Sequence, residues 1–347
     1  MLIFSFAFFG LLLFAVFYHS RVYFFRVNQD YLGEKNSISI KAICTIGVVL
    51  YHTSNTVNCG VLFLPIQTIG FLMVAMFFFF SGYGLIYSLN HKKDYMKSFV
   101  KKRAIAFLLP YCISLIVYLL YYSIFSEGFK FSRVILQFFY GDTVVRYSWF
   151  VFVLLQLYII FYFSFRFIKS KKTAYIIFYI LCSFVSLNCF LPHWSPATIA
   201  FIFGALFAHK QLFFDKLFLK KSWGLIITSI ISFAVLAAFY IRLEEDINKQ
   251  YFRILVTLTF VVLIVSLLTR IELHNRFLLI ISDVSYEIYL FHGLVILILN
   301  RFEKLQTIPE LYLLIVFGLS FALSYPISRL LKCIYHSGLL RNKIQTK

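Results

Sequence analysis

Long apolar segments alternate with short polar or basic connections along the whole chain. Most of the segments run for 17 to 24 residues, and about 20 helical residues are needed to cross ~30 Å of hydrocarbon. Barrel strands would instead alternate in segments of about ten residues. The pattern therefore predicts about eleven transmembrane helices, at residues 2–18, 39–56, 66–89, 105–125, 148–167, 173–191, 197–209, 223–241, 253–269, 279–299 and 312–331.

Composition agrees with this pattern. Hydrophobic residues make up 61% of the chain and charged residues only 14%, whereas soluble domains carry about 25% charged residues. No Pro-, Gly- or Ser-rich linker divides the sequence, and no period of 20 to 50 residues repeats. We therefore expect an all-α membrane helical bundle that forms a single domain over residues 1–347, with an extra helix and loop at 1–36 before a core at 37–335.

The formal net charge is +19, which in a soluble protein would suggest a nucleic acid partner. Threading the eleven spans back and forth instead places most Lys and Arg residues on one face. By the positive-inside rule that face is cytoplasmic. We expect a multi-pass protein of the inner or plasma membrane with the amino terminus outside, the carboxyl terminus inside and no nucleic acid partner.

Three further features of the sequence need an interpretation: the first span, the cysteines and residues 126–147. The first span lacks a basic n-region and a small-residue cleavage site, so we expect a retained helix rather than a signal peptide. The six cysteines form no CxxC group, which favours apolar packing over a Cys59–Cys189 bridge or a metal site. Residues 126–147 are predicted to lie partly along the outer membrane surface before the chain re-enters at Trp149.

Ionisable residues inside a span are candidates for function because hydrocarbon disfavours them. Lys41 and His52 share the second predicted span, and eleven helical residues turn by about three turns plus ~20°. Their side chains therefore lie on one face, about 16 Å apart along the axis. This arrangement suits a long donor with an anionic head; the alternative is a snorkelling lysine and a packed histidine.

The tenth predicted span carries Asp283, Glu287 and His292. His292 lies at a depth comparable to that of His52, which predicts that both histidines share a polar cavity. Glu287 is a candidate to orient or charge a histidine, and a structural ion pair with Arg103 is the alternative. For Asp283, near the surface, we favour a helix N-cap role.

The segment FFFFSGYG at 77–84 combines a hydroxyl at Ser81 with Gly82 and Gly84, which permit close helix approach or a helix break. Together with other motifs it resembles the acyltransferase 3 family of membrane acyltransferases. The resemblance rests, in order and over about residues 37–330, on Lys41 to His52, Phe79 to Tyr83, Lys101 to Arg103, Leu108 to Tyr111, YSWF at 147–150, FGA at 203–205 and SYEIYLFH at 285–292.

That resemblance implies an O-acetyltransferase that takes an acetyl group from cytosolic acetyl-CoA to a hydroxyl of a surface polysaccharide or glycolipid. It implies His52 as the essential base and Lys41 and Arg103 as cations near the donor. Two features depart from the family pattern. Ala106 stands where many members carry a second arginine, and Lys41 replaces a commoner arginine, which loses a bidentate fork for phosphate.

The mechanism that we expect has acyl-CoA phosphates among Lys41, Lys101, Lys102 and Arg103. His52 acts as general base or accepts the acyl group, and no metal takes part. His292 and Ser81 are expected to contact the acceptor or the developing oxyanion, and Glu287 to support the catalytic group. Substrate binding is assigned to Tyr83, Trp149, Tyr289 and a loop with His193 and Trp194. A proton-coupled transporter or flippase, or a non-catalytic membrane module, is the alternative class.

Overall fold

A computed structural model describes residues 2–125, 144–187, 196–244 and 247–344. The fold is 83% helical, which confirms the all-α prediction. The helices are α1 (Leu2–Phe17), α2 (Glu34–Ser54), α3 (Leu64–Ile69), α4 (Phe71–His91), α5 (Tyr95–Arg103), α6 (Leu109–Phe125), α7 (Trp149–Phe167), α8 (Lys171–Leu187), α9 (Ile199–His209), α10 (Gln211–Lys220), α11 (Ser222–Arg242), α12 (Ile247–Leu268), α13 (Arg276–Asp283), α14 (Ser285–Leu299), α15 (Glu303–Gln306) and α16 (Pro309–Ile344).

Within the described ranges, seven helices are long and apolar enough to cross a membrane, or nine if two bent pairs each count as one span. The predicted count of about eleven is not confirmed. In α1 only Phe6–Phe17 stands out as apolar, and it is too short for this test. Helix α8 is described for 17 residues. The chain is thus a multi-pass membrane bundle whose two remaining spans stay predictions.

Two pairs of helices meet at sharp bends, one just after the predicted span 197–209 and one within the predicted span 279–299. Helices α9 and α10 meet at 95°, and α13 and α14 meet at 69°. Asp283 ends α13, where its carboxylate lies 3.2 Å from Lys332 Nζ. The residue before α14 is Val284, and no side chain caps that helix, so the predicted N-cap role of Asp283 is wrong.

Close packing of α4 on α9 forms the centre of the bundle. A Cβ on Gly82 would collide with the backbone carbonyl of Phe201, and one on Gly204 would collide with that of Phe79. Because glycine lets two helix backbones approach this closely, the FSG and FGA motifs meet as one contact. The packing interpretation of Gly82 is therefore correct.

A short antiparallel pair ties the amino-terminal segment to the end of α12. Strand β1 (Arg21–Val22) pairs with β2 (Ile271–Glu272). The Glu272 carboxylate accepts hydrogen bonds from Tyr23 Oη at 2.8 Å and Lys35 Nζ at 3.0 Å. Hydrogen bonding by Tyr23 and Lys35 lowers the pKa of Glu272, so this connection stabilises the fold through an ionised carboxylate.

Some predictions fall outside the described residues. They concern the amphipathic part of 126–147 up to residue 143, the Cys59–Cys189 bridge, and the loop with His193 and Trp194. Of the two cysteines in that bridge, Cys59 is described and buried.

Candidate active site

The helix ends define two faces of the bundle. Residues 29–41 and 84–87 meet residues 211–215 around one cavity, at what we call the basic face. Residues 51–52 and 67–71 meet residues 240–241, 249 and 253 around another cavity, at what we call the opposite face. Helix α2 connects the faces, with Lys41 near the first and His52 near the second.

Three aromatic rings from distant parts of the chain meet near the opposite face. The His52 ring stacks on the Tyr147 ring with centroids 3.6 Å apart and planes inclined by 16°. The His292 ring lies 5.2 Å from that of His52 and 5.6 Å from that of Tyr147. The structure therefore brings together the two histidines predicted to lie at one depth, with a tyrosine against both.

Tyr147 is held in a backbone conformation that side chains rarely adopt. Its φ is 67°, in the left-handed region that costs a residue with a side chain about 1–2 kcal/mol. Tyr289 Oη donates to the Tyr147 carbonyl at 2.6 Å, and the Arg146 guanidinium lies 4.9 Å from the Tyr147 ring. These contacts hold the ring against His52, because a strained backbone conformation persists only when several surrounding interactions fix it.

His292 is fully buried, with 0% exposure. Its Nδ1 lies 3.2 Å from the Ile288 carbonyl oxygen, and since a carbonyl only accepts, Nδ1 carries the proton in the neutral ring. Nε2 has no partner within the described residues. In this tautomer Nε2 is a buried acceptor, and such a group is disfavoured unless something donates to it.

His52 lines a cavity of about 340 Å³ that we call the outer cavity. Trp149, predicted to bind substrate, lines it as well, at the start of α7. The lining also includes Gln67, Lys249 and Arg253. An imidazole, an amide and two cations thus border one space, which suits a hydroxylated molecule that carries negative charge.

The two cations of the outer cavity sit on an aromatic support. Arg253 donates to Tyr240 Oη from Nε at 3.1 Å and from a terminal nitrogen at 2.8 Å. Its guanidinium lies 5.3 Å from the Phe71 ring, and Lys249 Nζ lies 5.3 Å from the Tyr240 ring. Tyr240 is on α11 and buried, so it orders both cations of α12.

Lys41 lines a different cavity of about 370 Å³ at the basic face, which we call the inner cavity. Its lining includes three carboxylates, those of Asp30, Glu34 and Asp215. Tyr31 Oη donates to Asp215 at 2.6 Å, and burial raises the pKa of Tyr31. Apart from Lys41 the inner cavity is acidic and phenolic, in contrast to the outer cavity.

Side chains of α2 and α4 lie between the two cavities, and we call them the septum. On α4, Val74 lines the outer cavity and Phe80 the inner one, and six helical residues span about 9 Å. Phe77 lies between them, with its ring 5.9 Å from that of Phe150. On α2, buried Thr45 occupies the same stretch. Lys41 and His52 share a helix but contact separate spaces.

Other residues predicted near the donor spread along the basic face. Arg103 has its guanidinium 4.8 Å from the Tyr158 ring, and its charge acts on that of Lys41. Lys101 and Lys102 are exposed on α5. Tyr83 lines the inner cavity with Lys41. Lys101 and Lys102 are therefore open to the surface, and the four predicted cations are not gathered in one cavity.

Two predicted catalytic residues lie away from the histidines. Ser81 follows Phe80, whose ring is 5.9 Å from Lys41 Nζ, so it lies at the depth of Lys41. Glu287 is buried at 8% exposure, and its charged neighbours are Lys332 and Asp283. Five helical residues turn through ~500°, so Glu287 points away from the side of α14 that carries His292.

Sequence reasoning missed several residues of this site. Tyr147 stood in the YSWF motif without a role, and Arg146, Lys249, Arg253 and Tyr240 received none. Their separation in sequence from His52 hides the contacts. A usable signal was present for Lys249 and Arg253, because basic residues on the face that is otherwise poor in them depart from the topology pattern.

Comparison with known proteins agrees with this arrangement. The sequence model of the family described as an acyltransferase domain, acyltransferase 3, matches residues 36–329. The match begins in α2 and ends in α16, so it includes the outer cavity and the septum but leaves out α1 and the part of the inner cavity formed by residues 29–34. No curated protein and no solved structure matches the chain significantly.

Proposed function

The chain belongs to the acyltransferase 3 family, and from this membership we propose that it is an O-acetyltransferase acting across a membrane. Membrane acyltransferase is the activity that the family carries. Acetyl-CoA in the cytosol is the donor that we propose, and a hydroxyl of a surface or exported polysaccharide or glycolipid is the acceptor. The observation that supports this best is His52, an imidazole stacked on Tyr147 that lines the outer cavity.

In the proposed step, His52 takes the proton of the acceptor hydroxyl as its oxygen attacks the thioester carbonyl carbon. A carbon–oxygen bond forms, the carbon–sulfur bond breaks, and the proton passes from His52 to the departing thiolate of CoA. Stacking on Tyr147 keeps the imidazole fixed during both transfers. An acetyl-imidazole at His52, attacked by the acceptor in a second step, satisfies the same geometry.

His292 supports this step as a hydrogen-bond acceptor. With its proton on Nδ1, its Nε2 cannot donate to an oxyanion. The unpaired Nε2 is instead suited to receive a hydrogen bond from the acceptor hydroxyl or from the neighbouring His52 ring, 5.2 Å away between centroids. Glu287 and Ser81 lie too far along their helices for a direct part, so the proposal gives them none.

The donor enters from the basic face, which in this proposal is cytoplasmic. The inner cavity suits the pantetheine arm, because the amide groups of the arm can donate hydrogen bonds to the carboxylates of Asp30, Glu34 and Asp215. Either chemical route requires the thioester to reach His52. The septum around Phe77 must therefore open for the arm to pass, since about 9 Å of packed helix separates the cavities.

The acceptor enters from the opposite face, outside the cell. Lys249 and Arg253 border the outer cavity beside His52, and two cations at this cavity favour an acceptor with a carboxylate or phosphate. An acidic sugar or a phosphorylated glycolipid is the acceptor class that fits. The alternative transporter function receives no specific support from these features.

Purified protein in detergent, incubated with acetyl-labelled CoA and a crude glycan extract, tests the proposal. We expect label in the glycan fraction and free CoA thiol in equal amounts. Mass analysis of surface glycans from cells with and without the protein should differ by one acetyl unit. Glycans identical in mass, together with no release of CoA thiol, would refute acetyl transfer.

A further inference from the structure

A second cavity at the basic face has a different lining from the inner cavity. Its volume is about 630 Å³, and three lysines border it, Lys171 and Lys172 at the start of α8 and Lys210 between α9 and α10. Among the residues that the structure describes, no Asp or Glu lines it. We call this space the lysine cavity.

Charge distinguishes the two spaces at this face. Phosphate groups bind where ammonium groups gather and are repelled by carboxylates. The inner cavity offers one lysine against three carboxylates, whereas the lysine cavity offers three lysines. A ligand with several phosphates at one end and a neutral arm at the other matches the pair of cavities better than it matches either one.

Flat rings complete the lysine cavity. The Tyr175 and His209 rings are stacked, with centroids 3.8 Å apart and planes inclined by 9°. Tyr179 Oη lies 3.2 Å from His209 Nδ1, and Tyr175 Oη donates to Asn90 at 3.1 Å. A rigid platform of parallel rings beside lysines is a setting in which a purine base can stack while its phosphates are neutralised.

The lysine cavity adjoins the inner cavity at two points of the backbone. On α4, Tyr87 lines the inner cavity and Asn90 the lysine cavity, one turn or about 4.5 Å apart along the axis. At the bend between α9 and α10, Lys210 lines the lysine cavity and Gln211 lines the inner cavity. A single extended molecule can therefore occupy both cavities.

We propose that the lysine cavity binds the phosphorylated nucleotide end of the acyl-CoA donor while its pantetheine arm enters the inner cavity. This inference rests on the proposed function, whose donor it locates. It moves the phosphate site from the cations of the mechanism expected from the sequence, Lys41, Lys101, Lys102 and Arg103, to Lys171, Lys172 and Lys210, which are also exposed.

The test compares two donors, acetyl-CoA and S-acetylpantetheine, which has the same thioester and no nucleotide or phosphate. In the triple variant Lys171→Gln, Lys172→Gln, Lys210→Gln we expect KM for acetyl-CoA to rise about tenfold or more. KM for S-acetylpantetheine should stay at the wild-type value. A matched triple variant of exposed lysines on α10 and after it, Lys216→Gln, Lys220→Gln, Lys221→Gln, should leave both unchanged.

An unchanged KM for acetyl-CoA in the first triple variant would overturn the proposal, as would a rise for both donors alike. So would a KM that rises instead in the double variant Lys101→Gln, Lys102→Gln, which would support the phosphate site expected from the sequence.

A binding measurement separates this inference from the proposed function. Adenosine 3′,5′-bisphosphate should raise the thermal unfolding midpoint of the wild-type protein and of the α10 control, but not that of the Lys171, Lys172, Lys210 variant. If no preparation transfers acetyl groups, the proposed function fails, and this measurement decides the inference alone. Equal stabilisation of all three proteins, or of none, would overturn it.

Discussion

The inner and outer cavities are similar in size and opposite in chemistry. About 370 Å³ at the basic face is bordered by Lys41 and three carboxylates, and about 340 Å³ at the opposite face by His52, Lys249 and Arg253. Two cavities of unlike lining suit two unlike ligands, as the proposed transfer reaction across a membrane requires.

The largest effect should come from removing the base at the outer cavity. We expect His52→Ala to lower the rate of acetyl transfer by about 10²–10⁴-fold, the usual contribution of a general base. The rate is measured with acetyl-labelled CoA, and the thermal unfolding midpoint shows whether the variant folds. His274→Ala removes an exposed histidine as the matched control. A His52→Ala protein that transfers acetyl groups normally would contradict the claim that the outer cavity contains the catalytic base.

A smaller effect should follow from removing a cation of the outer cavity. Arg253→Gln should raise KM for an acidic acceptor about ten- to a hundredfold, because a hydrogen bond to a charged group contributes about 1.5–3 kcal/mol. KM for a neutral acceptor should change little. Glucuronic acid and glucose serve as the pair of probes.

Arg242 provides a control for the Arg253 experiment, since it ends α11 at the same face and is exposed. Arg242→Gln should leave both KM values unchanged. If wild-type protein used the two sugars equally well, the outer cavity would have no electrostatic preference for an acidic acceptor.

Loss of the ring that supports His52 should have a still smaller effect. A stacked aromatic pair contributes about 0.5–1.5 kcal/mol, so Tyr147→Leu should lower kcat by roughly tenfold or less. Tyr147→Phe keeps the ring and should restore a rate close to that of wild type. If Phe were as damaging as Leu, the hydroxyl rather than the stacking would be the important feature.

The smallest effect concerns stability at the basic face, outside both cavities. Hydrogen bonds from Tyr23 and Lys35 lower the pKa of Glu272 below its usual 4.5, so the ionised form is favoured in the folded state. Its contribution is complete above pH 4.5 and is lost as the pH falls through the lowered value. It amounts to about 1 kcal/mol or less.

Thermal unfolding of wild-type protein and Glu272→Gln measures this contribution. The wild type should be more stable at neutral pH, and the difference should shrink as the pH falls below about 4. A difference that is constant with pH would show that Glu272 stabilises the fold by packing and not by its charge.

Sequence patterns predicted the helical membrane class because apolar run length is a direct physical requirement of the bilayer. They also placed His52 and His292 at one depth, since rise per residue fixes depth along a straight helix. The bend after Asp283 and the 95° turn between α9 and α10 were beyond prediction, because tertiary packing decides where a helix breaks.

Contacts between residues far apart in sequence were equally hidden. Tyr147 reaches His52 from a position 95 residues later, and Arg253 reaches the outer cavity from α12. Periodicity reports which residues share one helix face, and it carries no information on which helices are neighbours. Glu287 illustrates the limit, because its ionisable character was noticed but its neighbours, Lys332 and Asp283, were not.

The claim on which the account depends is that donor and acceptor use opposite faces of the bundle. Sealed vesicles that contain the protein in one orientation, determined by protease access to the carboxyl terminus, can be given membrane-impermeant acetyl-labelled CoA on either side. We expect labelled glycan only when the donor is on the side of the basic face and the acceptor on the other. Transfer with donor and acceptor both confined to the opposite face would contradict the account.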